Sequence, residues 1–183
     1  GLTGNYAELL NNGRSIPAGF AEATRGCKYA CRHCPVTPVY NGRFFAVPVE
    51  NVLQQIRMQV ASGAQHITFG DPDFLNGPRH ALRVTEALHA EFPQLTFDIT
   101  AKVEHLVNHA DLLPQLAEYG CLFIVTAVES LSTHVLEILD KGHTRSDVEQ
   151  AITVTRKAGI ALRPSLVAFT PWTTLDDYLE LFE

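Results

Sequence analysis

The 183-residue chain has four cysteines, one tryptophan and one methionine. Four cysteines are too few for a disulfide scaffold at this length. No run of 18 apolar residues occurs, which excludes an ordinary membrane-spanning helix. Lys and Arg form no long run and the formal net charge is −6. Backbone binding to nucleic acid needs clustered positive charge, so the composition argues against a nucleic-acid partner. Low-complexity tracts are absent, and 46% hydrophobic residues suffice for one real core. No signal-peptide pattern opens the chain. Closely spaced thiols without such a pattern give a reducing, cytoplasmic setting as the expectation.

Charge is unevenly spread. Arg14, Arg25, Lys28, Arg32 and Arg43 face only Glu8 and Glu22 in the first 43 residues. From Pro171 onward there are four acids and no base. Beginning at Gly1 and ending in an acidic amphipathic pattern, the chain reads as a piece of a longer protein. The basic cluster is either a solvated loop or a set of cations near something anionic.

Short β-rich runs alternate with amphipathic helical runs. Strands are expected at 18–25, 64–70, 95–106, 121–130 and 160–169. Helices are expected between them, with Gly63 ending the first, Pro78 near the start of the second and a capping box at Ser146 and Glu149. This alternation argues for parallel strands with crossovers, as an open sheet or a partial barrel. Residues 1–17 read as a lead-in and 18–183 as one domain. In either architecture the chemistry belongs at the C-terminal strand ends. The unusual polar groups are there: the cysteine loop, "GDPD" (70–73), "KVEH" (102–105), "ES" (129–130) and "FTPW" (169–172). Strand alternation would put Asp98, Thr100, Lys102 and Glu104 on one inward face, costly unless a ligand or an internal salt bridge satisfies it. The candidate bridges are Lys102 with Glu104 or with Glu129.

Cys27, Cys31 and Cys34 are spaced C-x3-C-x2-C. Three thiolates can hold three irons of a [4Fe–4S] cube and leave the fourth iron open, as a catalytic zinc keeps an open position. The plainer reading is a zinc knuckle with His33 as fourth ligand. Cys121, far from the motif, reads as a small buried hydrophobe.

The motif, on a loop after the first strand of a (β/α) domain, resembles the radical S-adenosylmethionine (SAM) superfamily. The resemblance implies a partial (β/α)6 TIM-like barrel, of which about five βα units fall in this chain. It implies a [4Fe–4S] cluster on Cys27, Cys31 and Cys34, with the methionyl group of SAM on the open iron. One electron then cleaves SAM, and a 5′-deoxyadenosyl radical takes hydrogen from a substrate. His33, before the third cysteine, would lie near the adenine. "FGDP" stands where relatives carry a Gly-Gly-Glu-like turn, which nominates Gly70 and Asp71 and leaves open whether side chain or backbone makes the contact. "VES" resembles the Gly-x-Glu/Gln-Ser element of a subgroup with cobalamin-binding members and methylthiotransferases, nominating Glu129. "LEILDKGHT" nominates Lys141 for the methionyl carboxylate, and its place on the fifth strand nominates Ser165 for a ribose contact. Tyr40, Asn41, Lys102 and Glu104 are candidates for the substrate cavity. His105 and His143 are candidate hydrogen-bond donors beside the motif residues. "CRHCPVTPVYNGRFF", "GAQHITFGDPDFLNGP" and "FTPWTTLDDYL" are also similar to the CUAEP/CCAEP-tail radical SAM proteins, some of them selenoproteins. The implied partners are an unidentified small-molecule or peptide substrate and a flavodoxin- or ferredoxin-like one-electron reductant, with cobalamin a further possibility. Against the enzyme stand two other classes: a non-catalytic iron–sulfur module and a zinc-stabilised structural domain.

Overall fold

The computed structural model describes residues 7–11 and 13–182. Eight strands are described: β1 (Ala7–Asn11), β2 (Arg14–Ala21), β3 (Thr24–Gly26), β4 (Phe44–Ala46), β5 (His66–Phe69), β6 (Thr96–Thr100), β7 (Cys121–Glu129) and β8 (Ala161–Leu166). The helices are α1 (Val36–Tyr40), α2 (Val49–Ala61), α3 (Pro78–Glu91), α4 (Val103–Asn108), α5 (Leu113–Glu118), α6 (Thr133–Leu139), α7 (Arg145–Lys157) and α8 (Leu175–Leu179). The main sheet has the order β1-β2-β5-β6-β7-β8. From β2 to β8 every neighbouring pair is parallel. The sheet curls as the partial, TIM-like barrel that the family resemblance implies, which decides between the two architectures the alternation allowed.

One apolar cluster holds sheet to helices. Ile67, Phe69, Phe97, Ile99 and Ile124 from the strands join Val52 and Ile56 of α2, Val84 and Leu88 of α3, Leu106 of α4 and Leu116 of α5. All are at most 1% exposed, each worth roughly 1.5–3 kcal/mol of burial for a side chain of this size. The positions alternate along β5 and β6, so the intervening His66, Thr68, Thr96 and Asp98 share the other face. There His66 Nε2 lies 2.8 Å from Asp98 Oδ1, which also accepts from Thr68 Oγ1 at 2.8 Å. Much of the inward polar set is thus satisfied within the sheet.

Several expectations need correction. Of the lead-in expected at 1–17, residues 1–6 and 12 lie outside the described residues, and within the rest Ala7–Asn11 pairs antiparallel with β2 as an edge strand. The run 18–25 is two strands, because Thr24–Gly26 leaves the main sheet to pair with Phe44–Ala46. The run 95–106 is strand only to Thr100; α4 begins at Val103. Val103 and Leu106 are fully buried and Val107 packs on the core, which is helical spacing. The strand alternation therefore stops before Lys102 and Glu104. Finally, the α7 capping box is Thr144 with Asp147, two residues before the expected pair.

Candidate active site around the cysteine loop

The cysteine loop leaves β3 through Gly26, whose φ of +83° suits glycine. A Cβ there would fall 2.5 Å from Arg43 O and 2.6 Å from the Tyr40 ring. Close backbone packing thus fixes the entry to Cys27. All four cysteines are free thiols. Burial pushes the Cys27 thiol above its ordinary value, and the charge of Asp73 adds to this.

Three side chains of the turn after β5 hold the loop. Asp71, 2% exposed, accepts from Ala23 N at 2.9 Å, from Thr24 N, and from Thr24 Oγ1 at 2.6 Å. Burial pushes its carboxyl up, and these hydrogen bonds pull it back. Asn76 donates to Gly26 O at 3.3 Å and accepts from Lys28 N at 3.3 Å and from Cys27 Sγ at 3.8 Å. Asp73 meets His105, which meets Tyr29 between the first two cysteines. On the far side Arg32 N donates to Leu139 O at 3.1 Å, tying the loop to the end of α6.

A second group forms where β7 ends. Glu129 sits at φ +67°, a left-handed conformation that costs a non-glycine residue energy and clusters at functional sites. A register shift between Ala127 and Glu129 accompanies it. Its Oε1 lies 3.4 Å from Lys141 Nζ and 3.1 Å from His33 Nε2. Lys141 and Glu129 are 3% and 8% exposed. His143 donates through Nε2 to Val128 O at 3.1 Å; burial and the Lys141 charge push its pKa down.

Of the nominated residues, His33, Glu129 and Lys141 therefore converge. Gly70 and Asp71 belong to the loop-holding turn. Gly70 is covered by the Phe20 ring: a Cβ would fall 1.9 Å from Phe20 Cζ. Ser165 lies on exposed β8 and reaches Thr126 O at 3.5 Å. Lys102 and Glu104 form the internal bridge, 3.6 Å apart, at the start of α4. Tyr40 packs on Gly26 and tilts against Phe45 at 6.5 Å, while Asn41 is an exposed left-handed helix cap. Cys121 is buried, as expected. Thr24, Tyr29 and Asn76 were not anticipated. Tyr29 lies inside the motif with nothing in its spacing to mark it, and Asn76 reads in sequence as an ordinary turn residue before Gly77-Pro78.

The family model described as "Radical SAM superfamily" matches residues 22–181. The chain belongs to the radical SAM superfamily. This superfamily uses a [4Fe–4S] cluster and SAM. Among radical SAM relatives, a ribosomal protein uS12 methylthiotransferase from Porphyromonas gingivalis is 27% identical over 97% of this chain and 44% of its own. A tRNA-2-methylthio-N(6)-dimethylallyladenosine synthase from Prosthecochloris aestuarii is 28% identical over 89% of this chain and 38% of its own. The chain thus spans less than half the length of these relatives. A cobalamin-dependent SAM radical enzyme, OxsB, superposes with a TM-score of 0.76 at 24% identity, covering 88% of this chain and 25% of that one. The methyltransferase TsrM from Kitasatospora setae superposes at 0.71 with 20% identity, covering 90% and 33%. These two likenesses speak to the fold alone.

Do the residues present fit a cluster? Among the described residues no three His, Cys, Asp or Glu side chains are gathered closely enough to hold one metal ion. The fit rests on the donor set and its setting instead. Three free thiols in one loop are the ligand type such clusters take. The loop is held from both sides by named hydrogen bonds. His33 turns its Nε2 to Glu129, so that nitrogen is already engaged. The donor set fits an iron–sulfur cluster.

Proposed function

We propose that the chain is the core of a radical SAM enzyme, with Cys27, Cys31 and Cys34 as cluster ligands and SAM bound between the cysteine loop and the end of β7. The supporting observation is the meeting of His33, next to Cys34, with Glu129 and Lys141 on one carboxylate oxygen. When bound, cluster and SAM together supply a 5′-deoxyadenosyl radical for hydrogen abstraction. The protein's own residues bind and orient. Lys141 offers a cation to a carboxylate, and Glu129 an acceptor for ammonium or hydroxyl groups. His33 provides a flat ring beside an adenine. The Asp71 carboxylate is spent on Ala23 and Thr24. Backbone carbonyls around Gly70 therefore remain as its turn's contact to the methionyl amine, once the Phe20 ring swings away. Ser165 serves the ribose in this reading. Residues 18–183 form the core unit, to which the N-terminal hairpin adds an edge strand.

Relatives named as a methylthiotransferase and as a 2-methylthio-N(6)-dimethylallyladenosine synthase support a place in the group-transferring branch. The motif likeness to the CUAEP/CCAEP-tail proteins refines that placement within the same reading. A flavodoxin- or ferredoxin-like protein would deliver the electron.

Anaerobically purified and reconstituted protein is expected to hold iron and sulfide, not stoichiometric zinc. With dithionite and SAM it should form 5′-deoxyadenosine, and the triple Cys27, Cys31, Cys34→Ala variant should not. Stoichiometric zinc without iron would establish the structural domain instead. A cluster that never cleaves SAM would establish the non-catalytic module.

A further inference from the structure

The segment between Cys27 and Cys31 is held by a part-buried relay unrelated to any ligand contact proposed above. Tyr29 Oη lies 2.9 Å from His105 Nε2. His105 Nδ1 lies 3.0 Å from Asp73 Oδ1 and 2.8 Å from Oδ2. Asp73 is fully buried and His105 is 2% exposed. Asp73 is itself fixed as the cap of the short 3-10 turn 74–76, accepting from Leu75 N at 3.3 Å. With Nδ1–H given to the carboxylate, Nε2 is left to accept the tyrosine hydroxyl. The same tyrosine is gripped a second time: Lys102 Nζ sits 3.4 Å from its ring centroid. Lys102 and His105 are three residues apart at the start of α4, so both face Tyr29. His105 also packs edge-on against that ring at 5.2 Å.

A loop that must present three thiols to a cluster gains from being ordered beforehand. Outer residues that orient metal ligands typically change metal affinity about 10–100-fold when lost. We propose that His105, aligned by Asp73, is a positioning residue for the cysteine loop: through Tyr29 it fixes the 27–31 segment before iron arrives. This rests on the reading of Cys27, Cys31 and Cys34 as cluster ligands. It assigns no chemistry to Tyr29, whose partners act on the loop's geometry.

The test uses Tyr29→Phe, His105→Leu and His105→Gln, the last able to reach Tyr29 with its terminal amide. Hydrogen exchange of metal-free protein reads the brace directly. Tyr29→Phe and His105→Leu should exchange faster across residues 27–34 and unchanged across 121–129. In anaerobic reconstitution both should need about tenfold more iron for half-loading. Their reduced clusters should give altered electron paramagnetic resonance spectra, and His105→Gln should recover part of each loss. Tyr29→Phe keeps the ring and the Lys102 contact, so it decides the matter even if His105→Leu fails to fold. Exchange and half-loading within twofold of wild type in Tyr29→Phe would overturn the proposal. Wild-type protein that loads no cluster would overturn the proposed function instead, and the exchange result would still decide the brace.

Discussion

Glu129 and Lys141 carry opposite charges in a nearly dry setting, at 3.4 Å. Removing one partner of such a pair strands the other and costs roughly 3–5 kcal/mol, whereas replacing both with apolar or neutral groups can be close to neutral. Lys141→Met should therefore lower the unfolding free energy read from urea titration by an amount near the bottom of that range, since His33 still approaches Glu129. The double variant Glu129→Gln, Lys141→Met should regain most of it. If the pair serves a ligand, the recovered double variant will still fail to bind SAM in equilibrium dialysis. A pair kept only for stability would bind as wild type. Gly70 admits a similar separation. Gly70→Ala drives a methyl into the Phe20 ring, but that ring is 57% exposed and can move. The substitution should cost little stability, and less with Phe20→Ala alongside. SAM binding should stay impaired in the pair if backbone approach at residue 70 is the contact. Restored binding would remove Gly70 from the site.

Elements differ in how openly the sequence announces them. The β/α alternation was legible because β5, β7 and the long helices α2, α3 and α7 each follow one clear period. Helix α4 was not: "KVEHL" continues a strand-like alternation for four residues, and only the burial of Val103, Leu106 and Val107 together reveals the helical period. Site legibility follows the same division. Cys27, Cys31 and Cys34 are marked by local spacing. The work of Asp71, Asp73 and Asn76 depends on hydrogen bonds spanning 32 to 50 residues, which no local pattern records. The α7 cap was displaced because two Ser/Thr residues lie close together, and extended backbone at Thr144 selects the first. Thr144→Ala should cost about 1 kcal/mol at neutral pH. Asp147 is held below its ordinary carboxylate value by the Thr144 hydroxyl and N–H. A depressed carboxyl stabilises the fold above its ordinary value of 3.8 and loses that contribution as pH falls through the depressed value. The penalty of Thr144→Ala should shrink in urea titrations taken well below pH 3.8. An unchanged penalty would assign the cap's value to the neutral hydrogen bond alone.

At the scale of the whole molecule, the question is whether metal holds the fold or the fold holds the metal. The apolar cluster that joins sheet and helices includes none of Cys27, Cys31 and Cys34. It runs from Ala21 and Ala23 through α2 to Ile160, on residues whose burial owes nothing to a bound ion. The loop is instead attached to that body by Asp71, Asp73, Asn76 and the Leu139 carbonyl, none of them a cysteine. In a zinc-stabilised domain the energetics run the other way, and chelation unfolds the chain. Here the triple Cys→Ala variant, and wild type stripped of iron under reducing conditions, should keep the far-ultraviolet circular dichroism of the loaded protein. The metal-free proteins should melt within about 4 °C of each other, the span of roughly 1 kcal/mol for a domain of this length. Loaded protein is expected to melt higher only by the mass-action gain of a ligand bound to the native state. Cooperative unfolding on chelation would show that the core cannot stand alone, and the basis for a preformed loop would go with it.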